Sequence, residues 1–193
     1  MQKNFNIIIT GVGGQGLITL TRVLAEAALI EGHDAKTSEL HGLSQRGGSV
    51  ETHIVFGKDV FSPLVKKGGA DLIISLEAQE VLNALYYGSK NRTWFLIDKF
   101  LKPISGNQKE LSIKEIIRET ERFSKESFLI SASEITKKEL GNPVLAGTFL
   151  LGYAVRKKII PLKPDSILKA ITKVIPEKYL ALNQKAFDLS FGR

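Results

Sequence analysis

The chain has 193 residues, 43% of them hydrophobic and 24% charged, a composition typical of one globular domain spanning 1–193. It contains no cysteine, which excludes a disulfide framework, a cysteine nucleophile, and thiolate ligation of a metal or iron–sulfur cluster by this chain. Its apolar runs are too short for a signal peptide or a membrane span, so we expect a cytoplasmic protein without a membrane partner. The net charge is +7, but the lysines lie in scattered pairs. This pattern argues against nucleic-acid binding and is typical of a solvated surface or of one that attracts an acidic ligand.

The first predicted element is a short strand that runs directly into a glycine-rich loop and a helix. Residues 7–10 form the apolar end of the strand, 17–31 carry the helical pattern, and the loop between them reads Gly11-Val12-Gly13-Gly14-Gln15-Gly16. Gly11 allows a tight exit from the strand, Gly13 lets backbone N–H groups approach a phosphate, and Gly16 lets the helix pack on the strand. A second strand is expected at 34–39. This context favours an anion-binding turn over a purely structural corner.

The loop does not match either of two familiar nucleotide sites in full. A Walker A loop needs Lys and Ser or Thr after its last glycine, where this chain has Leu17 and Ile18, so a nucleoside triphosphatase is excluded. A dinucleotide site needs an acid near the end of the second strand, and Glu39 is close to that position. The chain continues, however, into a second polar glycine loop with one cation, which includes Ser44, Gln45, Arg46, Gly47 and Gly48. We expect a second anion-binding element there.

The rest of the chain predicts an α/β order that ends in helices. Alternation over 50–56 predicts a half-exposed strand, paired as a hairpin with a short strand at 60–62. Continuous apolar residues over 70–76 predict a central parallel strand. Further strands are expected at 93–98 and 127–131, and helices at 78–86, 112–122, 133–140, 143–157, 164–174 and 177–191. The predicted fold is a Rossmann-like, mostly parallel sheet with flanking helices, a β-hairpin insertion and a helical C-terminal third.

Several motifs resemble the gamma-type domain of the 2-oxoacid:ferredoxin oxidoreductases, especially those of the indolepyruvate type. The resemblance is carried by the G-V-G-G-Q-G motif at 11–16 and by H-G-L-S-Q-R-G-G-S-V at 41–50. It extends to F-S-P-L at 61–64, L-G-N at 140–142 and N-Q-K-A-F at 183–187, and so to nearly the whole chain. Either glycine motif alone is weak, but the pair at this separation is specific.

The resemblance implies a subunit of a heteromeric enzyme that oxidatively decarboxylates a 2-oxoacid to an acyl-CoA and passes the electrons to ferredoxin. Thiamine diphosphate and the iron–sulfur clusters are then expected in a large partner subunit, which agrees with the absence of cysteine here. The resemblance assigns this chain no catalytic residue and no metal. It suggests instead that the two glycine loops and Arg46 contact coenzyme A. Two alternatives stay open, an NAD(P)-binding dehydrogenase or sensor domain and a purely structural subunit.

Single residues have plainer interpretations beside the functional ones. Arg46 can bind a ligand or a subunit, or form an ordinary salt bridge, and the surrounding motif favours the first. His41 can act as an acid or base, but a structural or interface role is favoured. Glu39 and Glu77 can meet ribose hydroxyls or cap helices, and Trp94 is expected in the core. We also expect the segment 41–62 to face the thiamine-bearing partner, because it departs from standard dinucleotide folds.

Overall fold

The computed structural model describes residues 4–41, 48–103 and 111–192. Its centre is a six-stranded sheet whose spatial order is β2-β3-β1-β4-β5-β6. The strands are β1 Phe5–Val12, β2 Asp34–His41, β3 Ser49–Gly57, β4 Leu72–Ser75, β5 Trp94–Asp98 and β6 Glu126–Ile130. Strands β1, β4, β5 and β6 are mutually parallel, and β3 runs antiparallel to both of its neighbours. The predicted mostly parallel α/β fold is therefore confirmed.

The helices flank the sheet and fill the C-terminal third, as predicted. The α-helices are α1 Leu17–Ile30, α2 Ile113–Glu121, α3 Ala132–Leu140, α4 Ala146–Arg156, α5 Pro164–Val174 and α6 Glu177–Leu189. Three 3-10 helices span Gln79–Tyr87, Pro143–Leu145 and Ser190–Gly192. Pro143 and Pro164 stand in first helical turns, where a missing N–H costs nothing. Within the described ranges, no helix combines the length and the apolar character needed to cross a bilayer.

The prediction that β3 forms a hairpin with a short strand at 60–62 is wrong. Residues 60–62 form no strand, and β3 pairs instead with β2 on one edge and with β1 on the other. Strand β3 was also expected to be half-exposed, but nearly all of its residues are buried. Its polar side chains are satisfied by partners distant in sequence, since the Thr52 hydroxyl lies 2.7 Å from the Thr21 hydroxyl of α1. Because β3 lies between β1 and β2, both of its edges are already paired and no edge is left for residues 60–62.

Two further predictions need small corrections. The helix expected at 78–86 is the 3-10 helix Gln79–Tyr87, and the helix expected at 143–157 begins with a 3-10 turn before α4. In that turn Asn142 is the N-cap, and its side-chain oxygen accepts a hydrogen bond of 3.0 Å from the Val144 N–H.

The hydrophobic core has two layers, one on each face of the sheet. Helices α1, α4 and α5 cover one face, with Leu24, Leu150 and Ile167 among the fully buried side chains. The 3-10 helix Gln79–Tyr87 and α2 cover the other face, together with Val60 and Val65 from the segment that follows β3. The carboxyl ends of β1 and β4 lie between these layers, at the point where the chain changes direction across the sheet.

Candidate functional site

The first glycine loop ends in a helix start that no side chain caps. Gly14 and Gly16 have φ angles of 101° and 81°, in the left-handed region that a residue with a Cβ enters only at a cost. Gly16 is the N-cap of α1 and provides no capping side chain. The first-turn N–H groups that follow it lack partners within the helix and carry the positive end of its dipole. This is the geometry of an anion-binding helix start.

Gln15 joins the ends of two neighbouring strands. Its Oε1 accepts a hydrogen bond of 2.8 Å from the Val12 N–H at the end of β1, and its Nε2 donates one of 2.7 Å to the Leu76 carbonyl after β4. A Cβ on Gly11 would lie 2.7 Å from this Oε1, so Gly11 is needed for a close approach. The side-chain amide of Gln15, predicted to contact a ligand, is thus engaged inside the protein.

The end of the second glycine loop meets the first. Of its five predicted site residues, Ser44, Gln45, Arg46 and Gly47 lie outside the described residues. The Gly48 carbonyl accepts a hydrogen bond of 2.9 Å from the Gly13 N–H. The described end of the second loop therefore lies against the first loop. This hydrogen bond occupies the Gly13 N–H. The backbone amides that face a possible ligand are therefore those of the first turn of α1.

A cavity of about 430 Å³ opens beside Gly16, between α1, α4 and α6. Every described side chain that lines it is uncharged; they include Thr19, Leu20, Val144, Thr148, Tyr179 and Asn183. Val144 and Tyr179 are half exposed, and the Thr148 hydroxyl donates a hydrogen bond of 2.7 Å to Asn183 Oδ1. Ligands of open α/β sheets bind in a crevice at the carboxyl ends of the strands where the strand order reverses. One end of this cavity, at Gln15 and Gly16, adjoins the helix start that follows β1, while the rest of it lies between the helices.

On the other face of the sheet, acidic side chains hold the same edge together. The carboxylate of Glu77 is buried and accepts hydrogen bonds from the backbone N–H groups of Glu80 and Lys102, at 2.8 and 2.9 Å. Glu77 therefore caps the 3-10 helix Gln79–Tyr87, which is one of the two roles considered for it. Glu39 lies on the exposed edge strand β2. In the described part of the chain, no three His, Asp or Glu side chains are arranged to hold a metal ion.

His53 is a structural histidine, with both ring nitrogens engaged. Nδ1 accepts a hydrogen bond of 3.1 Å from the Val65 N–H, and Nε2 lies 3.0 Å from a carboxylate oxygen of Glu51. The Tyr87 hydroxyl donates to the same oxygen at 2.8 Å. Burial, and then this hydrogen bond to Glu51, raise the pKa of Tyr87 to about 12. The cluster anchors the segment after β3 to the sheet.

The remaining single-residue predictions have mixed outcomes. Trp94 is only partly buried, but it packs against the core and stacks on Phe128 with a centroid distance of 6.0 Å. The side chain of His41 lies outside the described residues. Sequence reasoning missed Glu80, Asn83 and Tyr87, because their partners Ser49 and Glu51 are more than thirty residues away in the chain.

Comparison with known proteins gives a consistent family. Residues 6–192 match the family described as pyruvate ferredoxin/flavodoxin oxidoreductase. The chain is 36% identical over 190 residues to indolepyruvate oxidoreductase subunit IorB of Pyrococcus horikoshii, a match that covers 97% of this chain and 94% of that protein.

Solved structures show the same fold. The keto/oxoacid ferredoxin oxidoreductase gamma subunit of Geobacter sulfurreducens superposes with a TM-score of 0.70 at 21% identity, covering 97% of this chain and 96% of that one. The 2-oxoglutarate:ferredoxin oxidoreductase of Magnetococcus marinus, solved with 2-oxoglutarate, coenzyme A and succinyl-CoA, gives 0.73 at 18% identity. That match covers 98% of this chain but 31% of the other. The alternative of an NAD(P)-binding dehydrogenase finds no support among these relatives. The chain belongs to the pyruvate ferredoxin/flavodoxin oxidoreductase family, in which its full-length relatives are small subunits of ferredoxin-dependent 2-oxoacid oxidoreductases.

Proposed function

We propose that this chain is the coenzyme A-binding small subunit of an arylpyruvate oxidoreductase that acts on indolepyruvate or a related 2-oxoacid. The observation that carries the proposal is the uncapped start of α1, which opens on an uncharged cavity between α1, α4 and α6. Coenzyme A combines phosphate groups with long uncharged parts, which matches a positive helix end beside a neutral cavity.

Each part of the site has a defined role in binding this ligand. A phosphate at the first turn of α1 accepts hydrogen bonds from its backbone N–H groups, and the helix dipole adds about 0.3–1 kcal/mol at an exposed position. Gly14 is exposed, and no atom of the described residues lies within 4 Å of the position its Cβ would occupy, so that part of the chain leaves room for a phosphate to approach the backbone there. Arg46 would add a charge-assisted bond worth about 1.5–3 kcal/mol. Coenzyme A supplies the thiol that takes up the acyl group as a thioester.

We assign the redox chemistry of this reaction to a partner. The chain has no cysteine to ligate an iron–sulfur cluster. A large subunit carrying thiamine diphosphate and the clusters would oxidatively decarboxylate the oxoacid and deliver its electrons to ferredoxin. In the Magnetococcus enzyme the matching region is about a third of a longer chain, which supports a working unit larger than this chain alone.

The experiment that tests ligand binding is calorimetric titration of the full chain with coenzyme A, 3′,5′-ADP and NADH. We expect saturable binding of coenzyme A and competition by 3′,5′-ADP, with affinity that falls as salt is raised. Saturable NADH binding without coenzyme A binding would favour a dinucleotide site. If none of the three binds, even to the assembled complex, the subunit is structural.

We further propose that the segment 48–64 faces the large partner. Phe61 is 91% exposed and Leu64 is 59% exposed. Apolar surface of this kind is unfavourable in water and often marks a protein–protein contact. Hydrogen exchange with and without the large subunit tests this. Backbone amides of β3 and of residues 58–64 should gain protection, while those of α5 change less. Protection confined to the C-terminal helices would move the docking surface elsewhere.

A further inference from the structure

The first glycine loop and the described end of the second are held together by one contact between glycines and by side chains around it. Among the described residues, the loops touch where the Gly13 N–H donates to the Gly48 carbonyl at 2.9 Å. A single backbone hydrogen bond between two loops is weak on its own, since its net contribution in water is about 0.5–1.5 kcal/mol. Two side chains, Gln15 and Glu80, reinforce it from opposite sides.

Gln15 fixes the first loop to β4. Its amide bridges the Val12 N–H and the Leu76 carbonyl, at 2.8 and 2.7 Å. Because the bridge spans the end of one strand and the end of the next, it sets where the loop leaves the sheet and where α1 begins. A shift of this amide would move the first-turn N–H groups relative to β4.

Glu80 fixes the second loop to the 3-10 helix Gln79–Tyr87. Its Oε2 accepts hydrogen bonds from the Ser49 hydroxyl at 2.6 Å and from Asn83 Nδ2 at 2.8 Å. Ser49 directly follows Gly48, so this contact holds the residue whose carbonyl binds the first loop. The backbone of Glu80 is itself fixed, because its N–H donates to Glu77 at 2.8 Å and its carbonyl accepts from the Thr10 hydroxyl at 3.2 Å.

These contacts close a ring around the edge of the sheet. It passes from Gly13 to Gly48 and Ser49, through Glu80 to Glu77, and back through Leu76 to Gln15. Glu80 is a poor choice as a ligand contact, since its carboxylate would repel an anion. Its charge is instead used by two donors inside the protein. The Glu80 carboxylate therefore contributes to the geometry of the site through its hydrogen bonds, and not to the charge that a ligand meets.

We propose that Gln15 and Glu80 are positioning residues that hold Gly48 and Ser49, at the end of the second glycine loop, against the first loop for coenzyme A. This inference rests on the proposed function for its ligand, but the loop geometry can be measured without any ligand. The effect of removing Glu80 on the affinity for coenzyme A tells the two roles apart. If Glu80 acts only through its negative charge, removing it strengthens the binding of an anion. If Glu80 positions the loops, removing it weakens binding.

The test uses the full chain and four variants, Glu80→Ala, Ser49→Ala, Gln15→Met and the control Glu121→Ala. Glu121 is an exposed acid on α2, and its removal changes the net charge as Glu80→Ala does. Amide exchange measured by NMR without coenzyme A should accelerate at Gly13 in the first three variants and not in the control. The dissociation constant for coenzyme A should rise about tenfold in the same three, as expected for one lost hydrogen bond to a charged or buried polar group.

The outcomes separate the two proposals. If wild-type protein does not bind coenzyme A, the proposed function fails and the exchange rate of Gly13 alone decides the positioning role. If Glu80→Ala binds coenzyme A more tightly and Gly13 exchange is unchanged, Glu80 acts through its charge and the inference is overturned. Ser49→Ala removes the Ser49–Glu80 hydrogen bond by changing the exposed partner. It therefore still tests the inference if Glu80→Ala does not fold. The double variant should be no worse than Glu80→Ala alone, because Glu80→Ala already removes the Ser49–Glu80 bond.

Discussion

A methyl group added at Gly14 should impair ligand binding far more than it impairs stability. Gly14 has a φ of 101° and no atom of the described residues within 4 Å of an added Cβ, so Gly14→Ala introduces backbone strain but no clash with that part of the protein. Gly32 offers a matched control. It has a φ of 80°, its Cβ would also meet open space, and it lies beyond the C-terminal end of α1. The two sites are separated by the 14 residues of that helix, about 21 Å.

The expected loss of stability is small and similar for the two variants. A side chain in the left-handed region costs about 1–2 kcal/mol, and alanine stiffens the unfolded chain by about 0.4–1 kcal/mol in compensation. A net loss of about 1 kcal/mol corresponds to a fall in Tm of about 2–4 °C for a chain of this size. Only at Gly14 does the methyl occupy the space where a phosphate approaches. Overpacking of that contact costs about 1–3 kcal/mol, or about 5- to 150-fold in Kd.

Calorimetric titration with coenzyme A and thermal unfolding of both variants check this reasoning. We expect similar Tm values and a large rise in Kd for Gly14→Ala alone. Equal coenzyme A affinities for wild type, Gly14→Ala and Gly32→Ala would show that the ligand does not approach this backbone. A parallel loss of affinity in both variants would instead attribute the effect to strain in α1.

Three further measurements test the surrounding structure. Burial raises the pKa of Asp98 above its ordinary value of 3.8, although hydrogen bonds from Ser133 lower it. The folded state therefore holds this proton more tightly, and stability should fall as pH rises from that ordinary value through the raised one. Asp98→Asn should flatten this part of the urea-unfolding profile, whereas a constant offset at every pH would contradict the assignment. Because His53 Nδ1 accepts a hydrogen bond from the Val65 N–H, the neutral ring must carry its proton on Nε2. Ring nitrogen chemical shifts measured by NMR check this, and shifts typical of a proton on Nδ1 would refute the assignment. Among the four tyrosines, one should ionise near pH 12 in an ultraviolet titration, and Tyr87→Phe should remove that step.

The parts of the fold that the sequence predicted are those specified by local residues. The apolar run before Gly11 and the helical pattern after Gly16 each lie within one short segment, and β1 and α1 appear where these patterns place them. The same holds for α5, whose bounds Pro164–Val174 were predicted without error because proline marks its first turn. Local patterns also placed the helix start at the end of the first glycine loop, whose anion binding stays a prediction.

The parts that could not be predicted depend on residues far apart in the chain. The alternation over 50–56 indicates one solvent-exposed face. Thr52 and His53 are nevertheless buried, because Thr21 and Val65 are their hydrogen-bond partners. No local pattern signals such partners. Glu80 is equally ordinary in sequence, an acid near the start of a helix. Its contact with Ser49 becomes visible only when the sheet brings the 3-10 helix beside β3.

The position of β3 is also a physical reason against the dinucleotide interpretation of the first loop. In a standard dinucleotide fold the second strand lies beside the first, so an acid at its end can reach the ribose. Here β3 lies between β1 and β2, and neighbouring strands are about 4.8 Å apart. Glu39 is thereby placed about 10 Å from β1 across the sheet instead of about 5 Å. The strand insertion thus separates the acid from the glycine loop, while it brings Gly48 and Ser49 to the loop instead. The strand order that moves Glu39 away from the first glycine loop thus also places the end of the second glycine loop beside it.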